Sequence, residues 1–594
     1  SIVKAALIRR RAAIRSPRAC RRPKLVSMVS PHENYRDSGY FHPEESSAAA
    51  RLKAMQAHER ARRAYEEAQN AFADELTVRT TSGWVRGVIE EDLRTDRPIS
   101  AGPVLTWRGI PFGDTTAGEN RFRAPQPAPP WEGVRDCSRF GPPAPQPTYS
   151  WTDRIIGSED CLHLDIVRPR TEDKLPVVVY LHGGSFIMGS SHMLMLRGFE
   201  LATRMDVVYV SINFRLNSLG YLDLRSLGGD CSANPAVADQ ILALQWVRDN
   251  IAAFGGDPDS VTLMGESAGG AAVLTLMTSP PAKGLFHRAI AQSPPIAMIH
   301  SRAQSTLWAR ELVHRMVLPR RSSVEDLRQE NYADLVRSGQ SMMWRAGELI
   351  HLNSCYAPTV DDELIPEHPI AAFENGHQHQ VPLLIGTNSD EASFGKFLFQ
   401  RQSSRERAAL RLLASFDPQH APEVVAAYDG AVAREDFAHL LADALFWAPS
   451  TRIASAHAQA APTWMYRFDY ASAVLKWLGL GAMHSMELGN VFGDPYSSRA
   501  SFLTNWGSRA EMEELTATMQ QHWSAFIHDG RPETSWPRYG VDQRATMIFD
   551  AEAYIDHAPH ELKRQAWEGY HMLEWGSGRP ELVRSLGFQP SGWE

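Results

Sequence analysis

Cysteine is scarce in this chain. Five residues, Cys20, Cys137, Cys161, Cys231 and Cys355, are spread over 594 positions, an odd number at wide spacing that demands no disulfide framework and contains no zinc-type C-x-x-C pair. Long apolar runs are missing as well. The densest stretch, LPVVVYLHGGSFIMG, is broken by polar residues and glycine and falls short of the roughly 20 apolar residues that a membrane-spanning helix needs. Nor is there an excess of positive charge: Lys and Arg total 61 against 69 Asp and Glu, a net charge of -8, which argues against nucleic acid or an anionic membrane as the main partner. No internal repeat or low-complexity linker divides the body.

What is present is a globular composition, 43% hydrophobic with 16 Trp. The first 27 residues differ, with Lys4, Arg9, Arg10, Arg11, Arg15, Arg18, Arg21, Arg22 and Lys24 and no acid before Glu33. A targeting presequence, a nucleic-acid-binding arm and residues upstream of a start at Met28 are the alternatives, and each predicts disorder over 1–45. The apolar core of a secretory signal is lacking, so a cytoplasmic setting is expected. Over 46–76, Tyr65, Ala68 and Phe72 recur at helical spacing, predicting a helical extension. Residues 77–594 then read as one domain with a C-terminal extension.

Short β-branched runs alternate with helical patterns through that body, the texture of an α/β sheet. Central strands are expected over 176–182, 207–214, 261–265, 288–293, 381–386 and 463–470. Several are continuous apolar runs, as strands covered on both faces require. Between the second and third, Ile241, Leu244, Val247 and Ile251 recur every three or four residues and stop at Gly255-Gly256, marking a crossover helix. Residues 294–375 and 395–460 read as helical insertions over the carboxyl edge of the sheet.

One junction carries chemistry. VTLMGESAGG, residues 261–270, is a strand followed by G-x-S-x-G followed by a helix, the context of a nucleophile elbow that exposes Ser267 above the sheet. A glycine-serine loop is the alternative. A second strand ends in His182-Gly183-Gly184-Ser185, a turn whose backbone N–H groups at Gly184 and Ser185, with that of Ala268, could face an oxyanion.

WRGIPFG, RFRAPQP, SEDCLHLDIV, LHGGSF, NFRLNSLGYL, FGGDPDSVTLMGESAGG, IGTNSDEASF, GAMHSMELGNVFG and WPRY, between about residues 78 and 570, make the chain resemble the type-B carboxylesterases, the family of the cholinesterases and bacterial para-nitrobenzyl esterases. The resemblance implies an α/β-hydrolase fold: a large, mostly parallel sheet with helices on both faces and helical insertions over the active site. It implies a triad of Ser267, Glu391 and His484, in the chain order usual for that fold, although Ala392 stands where a glycine is usual. It implies an oxyanion hole at Gly184, Ser185 and Ala268, with Ser185 in place of a third glycine. Hydrolysis of a small carboxylic ester through an acyl-enzyme would follow, with no metal or cofactor.

The resemblance also implies buried ion pairs Arg121–Glu159 and Arg215–Asp239. Secreted relatives bridge the cysteine equivalent to Cys161 to a C-P-Q segment that reads Ala144-Pro145-Gln146 here, so free thiols are expected, with Cys137 as the alternative partner. Trp151, ten residues before Cys161, and Phe394, three after Glu391, fall at alcohol-pocket positions, and Glu266, next to Ser267, is the third substrate-binding candidate. Apolar walls for a neutral alcohol and a surface for a bulky or cationic alcohol are both open. So are amide, lactone or carbamate hydrolysis by the same triad, and a non-catalytic interaction module of the same fold. The oligomeric state is not fixed by the sequence.

Overall fold

The structure, a computed structural model, describes residues 73–90, 103–148, 154–346, 354–397, 402–496 and 509–573. All of them fall within one compact unit, Ala71–Glu594. The basic segment 1–45, most of the expected helical extension (only Ala73–Leu76 of 46–76 is described, as a helix) and the end of the chain lie outside the described residues.

An eleven-stranded sheet organises the unit. From one edge its strands are Ala553–His557, Ala545–Phe549, Thr463–Phe468, Leu383–Asn388, Arg288–Gln292, Gly256–Glu266, Leu175–Leu181, Val208–Ile212, His163–Pro169, Val104–Pro111 and Val88–Glu90. From Ala545–Phe549 to Val208–Ile212 every neighbouring pair is parallel, and the remaining pairs at both edges are antiparallel. Along Leu175–Leu181, Val177, Val179 and Leu181 join one apolar cluster while Val178 and Tyr180 join another. That period of two puts a separate core on each face, which is why the run needs no polar residue.

Each of the six expected central strands forms, with shifted ends. Gly256–Glu266 begins five residues early because Gly256 pairs with Leu175 ahead of an irregularity at Val261. Leu383–Asn388 runs on through Thr387 and Asn388, and Val208–Ile212 stops before Asn213. Two of the antiparallel strands escape the sequence pattern for different reasons: the side chains of the edge strand Ala553–His557 are mostly exposed, and the interior strand His163–Pro169 buries His163, Asp165 and Arg168 among its apolar residues. The crossover helix is Pro235–Asn250, opened by proline in its first turn and extended by a 3-10 turn over Ile251–Phe254. The expected insertions hold helices Arg302–Arg315, Val324–Gln329, Tyr332–Ala346 and Pro369–Asn375, then Gln402–Ala414, Ala421–Ala426, Arg434–Ala442 and Ala448–His457.

Both implied ion pairs form. Arg215 meets Asp239 through Nη2–Oδ1 at 2.6 Å and Nε–Oδ2 at 2.9 Å, and Arg121 meets Glu159 at 2.6 and 2.7 Å. Cys137 and Cys161 are buried free thiols. Burial pushes the Cys137 thiol up to about 12 and raises Cys161 as well, so neither is a thiolate at neutral pH.

Candidate active site

Leu175–Leu181 and Gly256–Glu266 are neighbours in the sheet but not consecutive in the chain, because Val208–Ile212 intervenes on the far side. Their carboxyl ends form the crevice where parallel sheets hold ligands. One end leads into His182-Gly183-Gly184-Ser185, the other into Ser267.

Ser267 occupies the turn between its strand and the helix Ala268–Met277, with φ 57° and ψ -125°. Its flanking glycines are steric necessities: a Cβ on Gly265 would lie 2.5 Å from Gly269 C, and one on Gly269 would lie 2.0 Å from Leu181 O. The turn at 183–185 packs directly on this elbow, since a Cβ at Gly183 would lie 3.2 Å from Ser267 Cβ. Ser185, Phe186, Ser267, Ser293 and Ser485 all hold left-handed backbone. Strain of about 1–3 kcal/mol per residue is concentrated here, as at many functional sites.

His484 Nε2 lies 2.8 Å from Ser267 Oγ, and Nδ1 lies 2.5 Å from Glu391 Oε2. An ionised carboxylate can only accept, so Nδ1–H donates to Glu391, and in the neutral imidazole Nε2 is left to accept the serine proton. Glu391 follows the strand Leu383–Asn388. Its other oxygen accepts from Ser293 Oγ at 2.5 Å and from the Asn388 backbone N–H at 2.8 Å, which locks the carboxylate in place. Phe446 lies against the imidazole with ring centroids 4.6 Å apart.

Two further acids surround the imidazole. Glu266 is buried, accepts from Ser485 Oγ, and has Oε1 3.3 Å from His484 Nε2. Glu487 is buried and accepts from Gln292 and from Asn388 Nδ2. Burial works against charge on His484, but Glu391 and Glu266, with Glu487 behind them, outweigh it and carry the imidazole up to about 9. Burial, reinforced by Glu266 and Glu391, pushes Glu487 up to about 8. Burial also raises Glu266, against the pull of His484.

Among the described residues, the backbone N–H groups of Gly184, Ser185 and Ala268 have no protein acceptor. Unpaired donors are rare in folded proteins, and three beside Ser267 suit a developing oxyanion. A Cβ at Gly184, where φ is 121°, would lie 1.9 Å from Met188 O. That position therefore tolerates glycine alone.

Of the residues expected from sequence, Ser267, Glu391, His484 and Glu266 come together, and Gly184, Ser185 and Ala268 border them. Trp151 lies outside the described residues, and Phe394 has its backbone in the 3-10 turn Ser393–Phe397. Sequence reasoning missed Ser293, Asn388, Phe446, Ser485 and Glu487. An acid three residues after the histidine was a readable signal for Glu487, whereas Phe446 carries none.

Comparison with known proteins agrees with this architecture. The model of the carboxylesterase family matches residues 74–567. A para-nitrobenzyl esterase of Bacillus subtilis (strain 168) is 35% identical over 82% of this chain and 97% of its own. A phenmedipham hydrolase of Pseudarthrobacter oxydans is 31% identical over 80% and 94%. Among solved structures, a PNB esterase superposes with TM-score 0.72 at 33% identity, covering 83% of this chain and 99% of its own. A Geobacillus stearothermophilus carboxylesterase does so at 0.71 and 31%, covering 83% and 100%. The fold is the α/β-hydrolase fold, and the chain belongs to the carboxylesterase family.

Proposed function

We propose that this protein is a serine esterase that hydrolyses small carboxylic esters, with Ser267 as nucleophile, His484 as general base and acid, and Glu391 as the carboxylate that orients the imidazole. The continuous hydrogen-bond chain from Ser267 Oγ through His484 to Glu391 carries this reading. As Oγ attacks the ester carbonyl, its proton passes to Nε2, and the growing negative charge on the carbonyl oxygen is met by the N–H groups of Gly184, Ser185 and Ala268. The protonated imidazole then gives its proton to the departing alcohol. Water enters by the same route to release the acid and restore Ser267.

Glu266 is assigned to the imidazole: its carboxylate is committed to Ser485 and His484 rather than to a substrate cation. Trp151 and Phe394 are assigned to the alcohol side as apolar walls. Comparing kcat/KM for a choline ester and its 3,3-dimethylbutyl counterpart in Trp151→Ala tests that assignment. An equal loss for both fits a wall, and a selective loss for the choline ester would indicate cation recognition.

The function is tested by turnover of a para-nitrobenzyl ester and of phenmedipham, the compounds named for two relatives. Ester turnover that disappears in Ser267→Ala fits the proposal. Turnover of phenmedipham alone would move the physiological bond to another acyl class.

A further inference from the structure

The helical turn that carries Phe446 faces a second cleft of about 570 Å³, lined by none of Ser267, Glu391 or His484. Its walls are aromatic at Phe373, Trp447 and Trp567, cationic at Arg452, Arg544 and Arg564, and acidic at Glu374 and Glu568. Two of these cations are already matched. Arg452 pairs with Glu374, and Arg564 pairs with Glu561 at 2.8 Å and Glu568 at 3.0 Å.

Arg544 is matched only at a distance, by an ion pair with Glu561, a carboxylate that it shares with Arg564. Its side chain is 14% exposed, and its nearest carboxylate, Glu561, lies 3.8 Å from Nε, beyond hydrogen-bond reach. Nη1 donates to two neutral oxygens, Ser455 Oγ at 2.8 Å and Tyr539 OH at 3.1 Å, and among the described residues Nη2 donates to none. A guanidinium that shares a distant carboxylate and keeps an accessible edge without a protein acceptor can take a further anion. The neighbouring aromatic walls add a demand for an apolar body, and the cleft has the size of an ordinary small-molecule site.

The cleft also touches the catalytic cluster through the chain itself. Asp443–Trp447 is a π-helical turn, a rare distortion that is frequent at functional sites. Its consecutive residues face two places: Phe446 lies on the His484 ring, and Trp447 lines the cleft. A ligand held against Trp447 therefore acts on the same helical turn that presents Phe446 to the imidazole.

We propose that this cleft is an effector site for monocarboxylates with an apolar body, bound by Arg544 and the aromatic walls and read out at His484 through Phe446–Trp447. The readout rests on the esterase reading above; the binding does not. The probe is 4-phenylbutyrate, titrated calorimetrically into the full chain, with the uncharged 4-phenylbutanamide as control. One equivalent of the acid is expected to bind, and the amide about tenfold more weakly or worse, because it lacks the charge that the guanidinium selects. Arg544→Met should weaken acid binding by about tenfold or more. Ala456→Trp, which fills the cleft and leaves every charge in place, should abolish it; this variant keeps the test open if loss of the Ser455 and Tyr539 hydrogen bonds unfolds Arg544→Met.

At saturating 4-nitrophenyl acetate, where competition at Ser267 vanishes, the acid should change kcat of the unmodified protein by about twofold or more and leave Ala456→Trp unaffected. Binding that survives both variants, equal binding of acid and amide, or an unchanged kcat would each overturn the proposal. A chain that binds the acid as described but turns over no ester would instead overturn the esterase reading.

Discussion

Replacing Glu266 by glutamine removes one negative charge from beside His484 and keeps an acceptor for Ser485. Oε1 lies 3.3 Å from His484 Nε2. Two unit charges at about 4 Å interact by about 4 kcal/mol at an effective dielectric constant near 20, equivalent to roughly three pKa units at 1.36 kcal/mol each. That figure is a ceiling. Burial disfavours the charged form of Glu266 itself, and the imidazole, 28% exposed, is screened by water. A displacement of about one to two units remains. In the unmodified protein kcat/KM for 4-nitrophenyl butyrate should rise with pH as His484 loses its proton, with a midpoint above the ordinary imidazole value and toward about 9. In Glu266→Gln the midpoint should fall by about one unit or more, and the high-pH plateau should fall as well, because the imidazolium formed in the transition state loses a counter-charge. A variant whose midpoint coincides with that of the parent would refute this account of the imidazole's environment.

Glu391→Gln should lower kcat by about 10³-fold or more with little change in KM, since a neutral amide neither fixes the tautomer nor balances the imidazolium; steady-state kinetics on folded protein decide it. Gly184→Ala, whose Cβ would meet Met188 O at 1.9 Å, should displace the 184–185 donors and cost about 10²- to 10³-fold in kcat. Ser185→Gly keeps its N–H and should stay within about tenfold of the parent. Asp239→Ala leaves Arg215, 2% exposed, as an unpaired buried charge and should cost about 3–5 kcal/mol in urea unfolding. An Arg215→Met, Asp239→Leu double variant should regain much of that loss, and a double variant as unstable as the single one would contradict the explanation.

Legibility in the sequence followed burial. Leu175–Leu181 and Gly256–Glu266 could be read because both faces are covered, so their apolar runs admit no other use. His163–Pro169 could not be read as a strand from periodicity, because its buried polar residues are satisfied from outside the strand: Asp165 takes the Gly109 N–H at 2.8 Å and the Ser191 hydroxyl. The nucleophile was legible because two glycines are forced by contacts at one turn. Glu391 and His484 depended on family resemblance, since neither has a local sequence reason to face Ser267. Ser293 and Asn388 stayed hidden because their hydroxyl and amide contacts with Glu391 and Glu487 exist only once the strand ends meet.

The central claim is that Ser267 carries the acyl group. Acid quenching during turnover of 4-nitrophenyl butyrate, followed by peptide mapping, should place one butyryl group per chain on the peptide containing Ser267. Ser267→Ala should be unlabelled, match the parent in circular dichroism and urea midpoint, and lose about 10⁴-fold or more in kcat. A butyryl group on any other residue, or a folded Ser267→Ala that stays within about tenfold of the parent rate, would contradict the account.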